Sequence, residues 1–160
     1  MIPADFTKKA QKIFDDAHIN GNLDALDELY SPGIVRHTID RSDLVGIDAI
    51  KQYVAGVRRS FGSYRVIFNK AYIAGDIITW QWTFEATHQK THDRRLVFCD
   101  SAGETQIVKI TIPAGTKATM EGCVVCRVAD GKIVEEWAYY SGLMPSLNAA
   151  GVKLTQEGIG

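Results

Sequence analysis

"YRVIFNKAYIAGDIITWQWTFEATH", Tyr64 to His88, is the stretch where the hydrophobic period of the chain changes. Upstream, apolar residues recur every three or four positions; here they alternate, on two β-rich arms flanking a central "AGD", which predicts two strands joined by a tight turn. Along the second arm Trp80, Trp82, Phe84, Ala86 and His88 share one parity, so an extended backbone sets three aromatic rings and an imidazole on a single face. Gln81, Thr83 and Glu85 fall on the other, wetter face. Large apolar surfaces tipped with a few polar atoms suit the wall of a small-molecule cavity, so Trp80, Trp82 and Phe84 are candidate ligand contacts.

Toward the N-terminus the pattern is helical. Phe6, Ala10, Ile13, Phe14 and Ala17 lie at offsets of three and four after Pro3, predicting an amphipathic helix that "NGN" at Asn20–Asn22 stops. Leu23, Leu26, Leu29 and Tyr30 predict a short second helix ended by "SPG", and "IVRHTI" a short strand. A third helix follows, with Ile47, Ile50, Val54, Val57 and Phe61 on one side and Tyr53 beside them as a further candidate ligand contact.

Toward the C-terminus the strand period continues. "RRLVFCD" and "TQIVKITI" flank "SAGE" as a second hairpin, "KATMEGCVVCRV" and "KIVEEWAYYS" meet at "ADG" as a third, and "GLMPSLNAAGV" could hold a last helical turn. Helices first and antiparallel strands afterwards predict one α+β domain over residues 1–160, its helices covering one face of a curved sheet.

Composition narrows the function. With 46% hydrophobic and 23% charged residues and a formal net charge of −1, the chain offers no electrostatic footprint for nucleic acid or an acidic membrane. Charges interrupt the N-terminal apolar residues from Asp5 onward and no apolar run approaches about 20 residues, so neither a signal peptide nor a membrane span is expected. Three cysteines, an odd number, fit a reducing compartment, and the expected location is cytoplasmic. Cys123 and Cys126 form a CxxC, but on a strand that spacing sends the thiols to opposite faces, against a redox or zinc role. Among the four histidines no HxH, HxxxH or HxxE arrangement, the His88–His92 spacing included, places two ligands on one face, so no metal is expected.

The elements have a familiar order: "GNLDALDELYSPGIVRH" (Gly21–His37), "GIDAIKQYV" (Gly46–Val54), "GDIITWQWTFEATH" (Gly75–His88) and "ADGKIVEEWAYYSGL" (Ala129–Leu143). This order resembles the SnoaL-like polyketide cyclase branch of the NTF2-like superfamily, over roughly Phe6 to Gly151. The resemblance implies a cone-shaped α+β barrel, N-terminal helices packed on a strongly curved mixed sheet, with an apolar pocket at one end and dimerisation through the sheet. Members include cyclases, isomerases and hydrolases as well as non-catalytic binding proteins, so fold alone does not give function. The chain departs from the family in two places. Ser141 stands where the cyclases carry a proton-transferring Asp, and a hairpin is inserted around residues 89–111.

The expected site follows from these readings. Strand parity from Ile133 places Glu135, Trp137, Tyr139 and Ser141 on one face, taken to look into the cavity with Trp137 in its wall. His88 is the candidate base, its ordinary pKa of about 6.5 suiting proton transfer, Tyr139 the hydrogen-bond donor to a ligand carbonyl, and Ser141 a third catalytic candidate. Glu135 could substitute for the absent carboxylate, and His37 matches the family's strand histidine near the pocket. The expected ligand is small and mostly apolar, the chemistry proton transfer next to a carbonyl, as in aldol-type cyclisation or isomerisation, with no cofactor. The alternative is a non-catalytic binding or dimeric interaction domain. An epoxide hydrolase ranks lower because no Asp-Arg-Asp set assembles on inward strand faces.

Overall fold

The computed structural model describes residues 2–39, 42–99 and 103–140. Ser141 and the helical turn expected over 142–152 lie outside them.

The first helix, α1, spans Phe6–Asp15 and widens into a π-helical turn at Asp16–Asn20. A 3-10 helix, Leu23–Glu28, stands where the second helix was expected. It ends before Tyr30 because the chain there already pairs as a strand: β1 is Tyr30–Thr38, Tyr30 lies opposite Ile133, and the Ile133 N–H donates to the Leu29 carbonyl at 2.8 Å. A two-residue strand β2 (Leu44–Val45) precedes α2 (Ile47–Phe61). The strands β3 (Tyr64–Ala74), β4 (Ile77–Thr87), β5 (His92–Cys99), β6 (Thr105–Ile112), β7 (Lys117–Ala129) and β8 (Lys132–Tyr140) follow.

Six strands form one mixed sheet in the order β2-β1-β8-β7-β4-β3, in which only β1 and β8 run parallel. The β5–β6 hairpin, the inserted segment, makes a separate two-stranded sheet. The β7–β8 turn places both Asp130 and Gly131 at positive φ (51° and 74°), the two-residue geometry that "DG" favours. Three irregularities bend the sheet: between Tyr30 and Val35 in β1, at Asn69 in β3 and at Val134 in β8.

The helices lie on the concave face. Phe6, Ala10, Ile13 and Ala17 of the first helix and its extension, with Ile50 and Val54 of α2, are buried against Ile78, Val124, Cys126 and Ala138 of the sheet. Among the described residues no helix is long and apolar enough to cross a membrane.

Candidate functional site

The concave face alternates regularly along β4 and β7, and there it carries the expected rings: Trp80 is 1% exposed and Trp82 7%, both at a cavity wall with Phe84. On β8 the expected parity fails. Arg127 lies opposite Glu135 but Val128 lies opposite Ile133, so Val134 is an extra residue without a cross-strand partner. One inserted residue exchanges the two faces of everything beyond it. Ile133 and Glu136 are therefore both buried, Ala138 and Tyr140 follow Glu136 inward, and Tyr139 is 49% exposed.

This corrects four expectations. Trp137, Tyr139 and Glu135 face away from the cavity, and His37, which lies opposite Trp137, goes with them. On that outer face Trp137 stacks on His37 with ring centroids 5.5 Å apart. His37 sits between two carboxylates, its Nδ1 2.8 Å from Asp43 and its Nε2 3.2 Å from Glu135, and Glu135 also accepts from Arg127 at 2.8 Å. The bond to Glu135, followed by that to Asp43, raises the His37 pKa. Arg127 first and His37 second lower that of Glu135. These four groups satisfy one another rather than a ligand.

The cavity between sheet and helices holds about 450 Å³, within the range of sites for small organic molecules. Its helical wall is Phe14 and His18 from the first helix and its extension and Tyr53, Val57 and Phe61 from α2. Its sheet wall includes Trp80, Trp82, Phe84, Met120 and Tyr140. Rings brace one another around it: Phe68 stacks on Trp80 at 4.6 Å and Trp82 meets Tyr140 edge-on at 5.7 Å. Trp82 can lie against β7 because residue 122 is glycine; a Cβ there would sit 2.3 Å from its ring.

One rung of the sheet is polar. Ile78 faces Cys126, Cys126 faces Glu136, and Glu136 faces Arg36. Glu136 is 3% exposed and accepts a hydrogen bond from the Tyr30 hydroxyl at 2.9 Å. Arg36 Nε lies 3.2 Å from the other carboxylate oxygen, but off the N–H axis, so the contact is an ion pair rather than an aligned hydrogen bond. The guanidinium stands over the Tyr53 ring, 5.1 Å from its centroid, and the Tyr53 and Tyr140 hydroxyls are 3.3 Å apart. Burial opposes the charge on Arg36, but Glu136 and the surrounding tyrosines outweigh it and its pKa ends raised. Burial, reinforced by Glu136, keeps Tyr30 protonated. Among the described residues Glu136 is the only carboxylate in the cavity wall. It was missed because "EE" was read for Glu135, although adjacent glutamates on a strand must send one side chain to each face. Arg36 was overlooked beside His37 for the same reason.

His88 lines the cavity and is 6% exposed. Its N–H donates to the Thr116 carbonyl at 2.9 Å, its carbonyl accepts from Gly115 at 2.8 Å, and its ring packs on Phe61 at 4.5 Å and His92 at 5.2 Å. The rung of Glu136 crosses β4 at Ile78, ten residues before His88. At a strand rise of ~3.3 Å per residue, roughly 33 Å of strand separates them. Since Tyr139 is on the opposite face of the sheet, the expected His88–Tyr139 pair does not form.

His18, given no role from sequence, is buried in the cavity wall at 4% exposure. Its ring stacks on Tyr64 at 4.6 Å and meets Phe14 edge-on at 4.7 Å. Its Nδ1 has no hydrogen-bond partner. Burial, then the positive charges of Arg36 and Arg58, lower its pKa from 6.5 to about 3.

The model of the SnoaL-like polyketide cyclase family matches residues 8–145. No curated protein sequence matches the chain. Among solved structures, TsrD from Streptomyces laurentii aligns with a TM-score of 0.69 at 14% identity, over 96% of this chain and 100% of that one. IdmH from Streptomyces antibioticus aligns at 0.65 and 20% identity, over 92% and 99%. A protein of ketosteroid isomerase-like fold from Catenulispora acidiphila, solved with trimethylamine, aligns at 0.66 and 17% identity, over 96% of each chain. At such identities these likenesses establish the α+β, NTF2-like fold alone.

Proposed function

Since the chain belongs to the SnoaL-like polyketide cyclase family, we propose that it encloses a small, mostly apolar carbonyl compound in the cavity and moves a proton at the carbon next to that carbonyl. The observation that carries this reading is the ion pair of buried Glu136 with Arg36 in a mostly apolar chamber. Glu136 stands in for the carboxylate that Ser141 replaces. It takes the proton from carbon, the C–H electron pair moves onto the carbonyl oxygen, and the Arg36 guanidinium, beside the hydrogen-bonded Tyr53 and Tyr140 hydroxyls, offers the donors for the resulting enolate. The same carboxyl group returns the proton, at the same carbon for exchange or at another for isomerisation. In this reading Trp80, Trp82, Phe84 and the ring of Tyr53 are apolar ligand contacts, and His88 lines the cavity away from the polar rung. No step calls for a cofactor.

A second reading, binding without chemistry, is favoured by one observation: each oxygen of Glu136 already has a protein cation or donor beside it, Tyr30 on one and Arg36 on the other. Exchange of the methyl protons of acetylnaphthalene in heavy water, followed by proton NMR, separates the two. Catalysed exchange that falls about 10²- to 10⁴-fold in Glu136→Gln is expected. Binding of the ketone with no exchange above buffer would leave only the binding reading. We also propose that the outer face of the sheet, with Trp137 and Tyr139, takes a second copy of the chain.

A further inference from the structure

Resting on the reading of the cavity as a ligand site, we propose that His18 is a second polar anchor there, which recognises a hydroxyl group on the ligand and so favours hydroxyketones over ketones without one. The polar rung of Arg36 and Glu136 belongs to the sheet wall; His18 stands on the helical wall. A ligand touching both must carry oxygen at two separated places on an apolar body.

Three features of the site support this assignment. The imidazole lies in the cavity wall; its Nδ1 is sealed off and has no partner, so Nε2, which is not sealed, is the ring nitrogen left to a ligand. The ring is held rigidly: Tyr64 covers one face, Phe14 packs at its side, and the Arg58 guanidinium donates to the backbone carbonyls of His18 and Ile19. Only the ring edge, where its nitrogens lie, is left for hydrogen bonding. Burial first, then the charges of Arg36 and Arg58, keep the ring from carrying charge, so it is no ionic clamp for a carboxylate. At Nε2 a neutral imidazole is either a donor or an acceptor, and a hydroxyl, which can act as both, pairs with either tautomer.

The test compares an acetylnaphthol with the acetylnaphthalene that lacks its hydroxyl, by titration calorimetry on the full chain. The wild-type protein is expected to bind the acetylnaphthol about tenfold more tightly. In His18→Phe, which keeps a flat ring against Tyr64, the preference for the acetylnaphthol should fall to within about twofold. A merely structural role would weaken both ligands together. Equal wild-type affinities, or a preference retained in His18→Phe, would overturn the assignment of His18 alone; failure of both ketones to bind would overturn the ligand-site reading beneath it. Because His18→Phe can disturb packing, nitrogen NMR of the wild-type histidines provides an independent readout. The His18 imidazole signals must move when the acetylnaphthol is added and stay in place with acetylnaphthalene; no movement with the former counts against the proposal.

Discussion

At the scale of single residues, two positions set how this chamber works. Gly122 is the point where the Trp82 ring touches the β7 backbone, with a Cβ position 2.3 Å from the indole. Gly122→Ala must push the ring toward the cavity, so ligand affinity should drop and stability fall by about 1–3 kcal/mol, read by calorimetry and urea unfolding. His18 predicts a pH dependence. Its folded-state pKa of about 3 lies below the ordinary 6.5, so on acidification the unfolded chain takes up a proton that the folded chain refuses. The stability it contributes is complete above about pH 6.5 and is lost as pH falls through about 3, a total on the order of 5 kcal/mol. His18→Phe should flatten that acid limb in urea titrations at stepped pH. His37 has the opposite sign: its pKa is raised, so its contribution is present at low pH and lost as pH rises through the raised value. His37→Ala should remove that opposing slope.

At the scale of elements, the interplay of bulges and helices decides what each strand presents. The extra residue at Val134 gives the cavity Glu136 instead of Glu135. On the edge strand β3, the bulge at Asn69 lies next to a helix side chain that acts as a substitute strand. Gln11 Nε2 donates to the Val66 carbonyl at 2.8 Å, and the Phe68 N–H donates to Gln11 Oε1 at 2.9 Å. The same amide also donates to Asp15 at 2.9 Å, fixing its orientation. Gln11→Ala leaves a partly buried carbonyl and N–H unpaired, so a loss of about 2–3 kcal/mol is expected in urea unfolding. Gln11→Glu, which can accept from Phe68 but not donate to Val66, should lose stability as well.

At the scale of the whole molecule, the sheet has two dissimilar faces. The concave one closes on a ligand-sized chamber; the outer one carries the half-exposed Tyr139 and the His37–Trp137 stack. If a second copy covers that face, light scattering at micromolar concentration should give twice the mass of the 17.7 kDa chain. Trp137→Lys should then return it toward the monomer, and a monomeric wild-type mass would dismiss the dimer.

The change of period at Tyr64, the turn residues at Gly75 and Gly131 and the ordered motifs were enough to determine the two longer helices, the long strands and the fold class, because periodicity and turn chemistry are local properties of the backbone. The aromatic face of β4 was legible for the same reason: no irregularity interrupts its pairing with β7. What local pattern could not decide was the facing of β8, since a single bulge at Val134 leaves the composition of a strand unchanged yet exchanges its inner and outer side chains. Nor could it reveal that Tyr30, Arg36 and Glu136 meet: the Tyr30–Glu136 bond joins residues 106 apart in sequence. Only the folded sheet, by laying β1 beside β8, brings the cation, the carboxylate and the phenol together at one rung, where they partner one another.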